Sequence, residues 1–153
     1  MKRWWIYLVA LVFAGTVSPF SGTDVGQLQP IQLVKVTAQR GIVEITTDTG
    51  DMGRGKTVQE AFDDLQQTSS KKIFMETAEY LLIDRAAETI LPDITNILRP
   101  SCAVCLVEDE MDLTVAAEFL NHHLPELTLL DYRTGKRALP VLVLEEERMY
   151  LVQ

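Results

Sequence analysis

The sequence predicts an α+β (or α/β) domain with a mixed, largely antiparallel sheet packed by about three helices. Three observations lead there. Short β-branched runs pair up at both ends of the chain as hairpins. Between them, apolar strand-like runs alternate with segments of helical spacing. Hydrophobic residues make up 47% of 153 residues, enough to bury one core and too short a chain for two comfortable ones.

The first element is not part of that domain. "MKRWWIYLVALVFAGTV" opens on Lys2 and Arg3 and continues as an uncharged apolar run from Trp4 to Val17. A basic start before a greasy segment is the layout of an export signal. The run falls short of the roughly 20 apolar residues of a full membrane span, so residues 1–22 are expected as an export signal or an N-terminal anchor. Export would leave Lys2 and Arg3 on the cytoplasmic side and the domain on the outer face of the cytoplasmic membrane. No clear cleavage site settles whether the leader is removed. Gly, Ser, Pro and Asp in the stretch after the leader mark a linker, placed at 23–30, and the domain is expected over 31–153.

"IQLVKVTA" (31–38) and "IVEITTD" (42–48) are β-branched and partly alternating, with "QRG" between them, which predicts an antiparallel hairpin. "TDTGDMGRG" is expected as a loop. Thr57 is a natural N-cap, with Glu60 three residues on to complete a capping box. The helix then runs from about Val58 to Thr68, placing Val58, Ala61, Phe62 and Leu65 on one face.

Tyr80–Ile83 reads as a strand, with Asp84 as the N-cap of the next helical segment. Residues 86–98 are helical in composition, with a break near Leu91 because Pro92 fits the first turn of a second piece. "CAVCLVE" (102–108) is an interior strand, nearly all apolar. "DLTVAAEFLNHHL" (112–124) is a helix capped by Asp112 and stopped by Pro125, and 127–133 adds a turn or two. A closing hairpin has strands at 138–144 and 148–152 and a turn at 145–147.

The motif that invites a functional reading is "GDMGRGKT" (50–57). Gly50, Gly55, Lys56 and Thr57 fill the fixed positions of the phosphate-binding loop G-x-x-x-x-G-K-[ST], and "YLLID" (80–84) looks like its magnesium-holding partner strand. In nucleotide-binding proteins the loop comes after a buried parallel strand. Here the preceding "VEITTD" alternates apolar and polar and belongs to a hairpin. The expectation is therefore a turn before a capped helix, with Lys56 facing water and nucleotide binding through residues 50–57 as the alternative.

"CAVC" raises a second alternative, an exported thiol–disulfide protein using Cys102 and Cys105. At i, i+3 in a strand the two side chains point to opposite faces, so buried structural cysteines are expected, with a disulfide as the other possibility in an oxidising exterior. Two adjacent histidines, His122 and His123, close a helix, where a cation is favourable, and Glu118 is placed to pair with His122. They cannot complete a zinc site with one C-x-x-C. No catalytic, cofactor-binding or metal-ligating residue is assigned. The net charge of −8 argues against nucleic acid as a partner.

From Asp24 onward the chain resembles the N-terminal domain of the C-subunit (lipoprotein) family of spore germinant receptors. The likeness runs through "DVGQLQPIQLVKVT", then "GRGKTVQEAFDDL", then "SSKKIFMETAEYLLIDRAAE", then "LTLLDYRTGKRALPVLVLEEERMYLV". Their order and spacing carry it, and no single motif is diagnostic. The chain departs from the family pattern in having no Cys after the leader, so the lipid anchor is missing, and it covers about the first third of a full member. The resemblance implies a shortened, non-enzymatic, extracytoplasmic protein that binds at the membrane, as a scaffold or binding domain, with other receptor subunits as possible partners. It implies no catalytic residues and no cofactor.

Overall fold

A computed structural model describes residues 28–108, 110–136, 138–145 and 148–152. The expected leader (1–22) lies outside the described residues. The domain is α+β, built on a seven-stranded mixed sheet with a small two-stranded parallel sheet beside it.

In chain order the strands are β1 (Leu28–Pro30), β2 (Leu33–Gln39), β3 (Ile42–Thr47), β4 (Met52–Gly55), β5 (Lys72–Phe74), β6 (Tyr80–Ile83), β7 (Ala103–Val107), β8 (Val141–Glu145) and β9 (Arg148–Val152). The helices are α1 (Val58–Thr68), α2 (Leu91–Ile94), α3 (Leu113–His122) and α4 (Leu129–Arg133). The large sheet has the order β4-β3-β2-β6-β7-β8-β9. Its centre, β2-β6-β7-β8, is parallel, and antiparallel strands flank it, β3 and β4 on one side and β9 on the other. Parallel strands need both faces covered, and β6 and β7 are buried at every residue, as their unbroken apolar runs require.

The β2–β3 hairpin forms with Gln39 opposite Ile42. Its two-residue turn has positive φ at both positions, 51° at Arg40 and 75° at Gly41. That is the turn type whose twist matches the strands.

Three expectations are corrected. Residues expected as linker, Leu28–Pro30, form β1 and pair in parallel with β5; residues 23–27 lie outside the described part. The stretch expected as a loop before the helix contains β4, antiparallel to β3. The closing hairpin begins at Val141 rather than 138. Pro140 has no N–H to give a ladder, although its carbonyl accepts from Leu106 N–H at 2.8 Å. Of the turn expected at 145–147, Glu145 ends β8 and residues 146–147 are outside the described set.

Two apolar layers sandwich the sheet. Val34, Val36, Leu81, Ile83, Val104 and Leu106 face α1, α2 and the start of α4. Leu33, Tyr80, Leu82, Ala103, Cys105 and Leu142 face α3 through Ala116, Ala117 and Leu120. The 3₁₀ turn Ala87–Ile90 leads directly into α2, with Pro92 in its first turn, which is the expected break.

Candidate functional site

α3 covers only part of its face. It lies over β6–β8 and the Leu33 end of β2, leaving β2, β3 and β4 bare beyond Leu33. The register decides what is exposed there. Lys35 is opposite Thr46, Thr37 opposite Glu44, and Glu44 in turn opposite Arg54. These side chains share one face because strand side chains alternate. They floor an open cleft of about 610 Å³. Val107, Glu108, Glu110, Met111 and Leu113 form the wall on the side of α3, and Arg40 stands at the hairpin end.

Of the charges lining the cleft, Glu44, Arg54 and Glu108 are in ion pairs, and Asp84 accepts from backbone N–H groups only. Arg54 Nε donates to Glu44 Oε2 at 2.6 Å. Glu108 accepts from Arg85 Nε at 2.9 Å. Asp84 accepts from Ala87 N–H at 2.6 Å and from Ala38 N–H at 3.2 Å. Asp84 thus closes the turn ahead of the 3₁₀ segment Ala87–Ile90 and ties β6 to the end of β2; it is not that segment's N-cap as expected, a place that falls to Ala86. Lys35, Arg40 and Glu110 remain, and none has a hydrogen-bond or ion-pair partner among the described residues. The described lining contains no His, Ser or Cys.

The phosphate-loop match resolves into packing. Residues 52–55 are extended in β4, and two of the loop's backbone donors are taken by carboxylates. Arg54 N–H donates to Asp64 Oδ2 at 2.8 Å and Lys56 N–H to Glu60 Oε2 at 2.8 Å. Glu60 N–H donates to Thr57 Oγ1 at 3.1 Å, the expected cap. Glu60 reaches back to Lys56 rather than to Thr57, so its carboxylate sits where an anion would sit at this helix N-terminus. Lys56 is exposed, as expected. Gly53 and Gly55, in contrast, are not turn residues. A Cβ on Gly53 would lie 2.6 Å from Leu65 Cβ and closer still to the Ala61 carbonyl; one on Gly55 would lie 2.5 Å from Glu60 Cβ. The glycines let α1 rest directly on β4.

Cys102 and Cys105 are both free and buried. They lie in opposite layers of the core, Cys102 in the layer shared with α1, α2 and the start of α4 and Cys105 in the layer with α3, which is the alternation expected of a strand and keeps them from bridging. Burial pushes both thiols up to about 12, far from the lowered range of reactive cysteines. His123 stacks on Phe119 with ring centroids 4.2 Å apart, and its Nδ1 lies 3.1 Å from the Phe119 carbonyl. His122 is exposed, and no ion pair joins it to Glu118. Among the described residues no three His, Cys, Asp or Glu side chains converge as a metal site.

Lys35, Arg40, Glu44, Arg54 and Glu110 were not singled out from the sequence. The signal for the first three was present in the polar alternate positions of "LVKVTAQ" and "IVEITT" and in the Arg of "QRG". No protein-family model matches the chain, and no curated protein or solved structure matches it.

Proposed function

We propose that this chain is a non-enzymatic binding or scaffold protein, exported and held at the outer face of the cytoplasmic membrane, of the germinant-receptor C-subunit type. The observation that carries the binding role is the bare half-face of the sheet. One solvated face is ordinary for the antiparallel strands β3 and β4 beside β2, but here the strands floor a charged cleft walled on one side rather than a flat surface. The export and membrane parts rest on the basic-then-apolar leader. The receptor type rests on the ordered resemblance of four segments.

Fractionation of the full chain with a C-terminal tag tests this. The expected result is tag in the membrane fraction, cleaved by protease added outside intact protoplasts. Recovery from the cytoplasm with the leader intact overturns the location. In a spore-forming host, deletion is expected to alter germination; an unchanged germination response overturns the receptor role while leaving the binding role to be tested at the cleft.

A further inference from the structure

The two edges of the large sheet differ. At one end α1 closes β4. Arg54 N–H donates to Asp64 Oδ2 at 2.8 Å, Thr68 Oγ1 stands 3.2 Å from the Met52 carbonyl, and the helix rests directly on Gly53 and Gly55. At the other end β9 has β8 on one side and no described strand on the other. Glu145 opposite Arg148 closes a hairpin with two residues between them, so that pair is hydrogen-bonded. Bonded and non-bonded pairs alternate along antiparallel strands, so Tyr150 and Val152 also bond inward, to Val143 and Val141. Met149 and Leu151 therefore turn their N–H and C=O groups outward, and none of these groups has a partner among the described residues.

Sheet edges are ordinarily blunted by Pro, by a bulge, by inward charge or by a covering element. "RMYLV" has no Pro, pairs with β8 without a bulge, and carries its one charge at the first position. The edge also matches itself. Two copies of β9 placed antiparallel about a two-fold axis at Tyr150 set Met149 opposite Leu151 of the second copy, and the reverse. That register uses every outward N–H and C=O of both residues. Met149 and Leu151 lie on the α3 side of the sheet, so apolar meets apolar there. On the other face the two Tyr150 rings, 45% exposed in one copy, become neighbours in a non-hydrogen-bonded pair, where side chains come closest. Val152, 57% exposed, comes to lie opposite Arg148.

We propose that a second copy of this chain adds to β9, so that two seven-stranded sheets continue as one across an isologous interface. What selects a copy over an unrelated strand is this match: the register that uses all the outward groups also sets Met against Leu and Tyr against Tyr. β9 brings no carboxylate to the seam, while the net charge of −8 on each copy opposes approach from a distance. One strand pair is smaller than a standard interface. The dimer therefore forms with rising concentration and is strengthened by salt that screens the net charge. It goes beyond the binding role proposed above and does not depend on it.

The test is disulfide trapping of the full chain in detergent micelles. Tyr150→Cys places two thiols across the axis with a Cα separation of about 4.5 Å, within reach of a disulfide. Arg148→Cys is exposed on the same face, but its two copies lie roughly 14 Å apart along the strands. Mild oxidation should link Tyr150→Cys into dimers and leave Arg148→Cys unlinked. Cys102 and Cys105 are buried and stay out of the reaction. Tyr150→Lys sets ammonium against ammonium at the axis. It should weaken the dimer about tenfold or more in sedimentation, with the urea midpoint of the monomer within error of wild type. Monomer at every concentration, equal linking at both positions, or wild-type association of Tyr150→Lys overturns the proposal. Each of these leaves the membrane fractionation result unaffected.

Discussion

Replacing Gly53 with alanine should separate α1 from the sheet. Its φ is not in the positive region, so the cost is steric and not conformational. The added Cβ would stand 2.6 Å from Leu65 Cβ, against about 3.5–4.0 Å for ordinary carbon contact. The nearest atoms include the Ala61 carbonyl and Leu65 N, backbone atoms that no rotamer change can move. α1 must therefore retreat by roughly 1 Å, and a gap of that size forfeits about a quarter to a half of each contact. Val58 and Leu65 are the large side chains fully buried by α1, each contributing about 1.5–3 kcal/mol. The loss is then about 1–3 kcal/mol. Stiffening of the unfolded chain offsets about 0.4–1 kcal/mol of it. A net destabilisation of about 2 kcal/mol is expected at the upper end of that range. With a urea dependence of about 2 kcal/mol per molar, the midpoint measured by far-UV circular dichroism should fall by about 1 M. Gly50→Ala is the control. Gly50 has φ 86° and open space around it, so only the left-handed cost applies, about 1 kcal/mol. If Gly53→Ala leaves the midpoint within error of wild type, or costs less than Gly50→Ala, the close-approach argument is wrong.

Other perturbations probe other links. Thr57→Ala removes the α1 cap and should cost about 1 kcal/mol, measured on the same urea curves. In native protein Cys102 and Cys105 should resist a thiol reagent at pH 8, and both should react once urea has unfolded the chain. Because burial raises both folded thiols to about 12, their contribution to stability is full below the unfolded value near 8.5. It is lost as pH rises from there toward 12, with a slope of about 2.7 kcal/mol per pH unit from the pair. A double Cys→Ala variant should lack that part of the slope. Asp131 is held below the usual carboxylate range by its hydrogen bonds with Thr128 and then by Lys136. Its stabilisation is present above about pH 4 and lost as pH falls, so Asp131→Asn should flatten the acid limb of the stability curve.

Local rules accounted for much of the fold. α1 runs over the residues that its cap and 3–4 spacing predicted because Thr57, Glu60 and the Val58–Ala61–Leu65 stripe all act within one helix. The hairpin at 39–42 and the break at Pro92 are local in the same sense. β4 was missed because four residues rich in glycine carry no β propensity; its strand identity comes from β3 alongside and α1 beneath. β1 was missed for a related reason, since Leu28–Pro30 is a strand only by virtue of β5, more than forty residues away in sequence.

The candidate site shows the same division. By itself the sequence determined that β2 and β3 would each present a polar row, that Thr57 would cap a helix, and that Cys102 and Cys105 would face opposite ways, since strand and helix periods fix which side chains share a face. It also supplied a complete phosphate-loop pattern, which says nothing about whether the backbone donors are free. Only the tertiary structure decided that. Glu60 and Asp64 occupy two of those donors, and the glycines serve helix packing. The sequence could not place α3 either. A helix's own pattern specifies the stripe it buries, but where along the sheet it comes to rest depends on strand order and register. Because α3 stops short of β2–β4, the polar row holding Lys35 lies open beside Arg40, and a solvated strand face becomes a cleft.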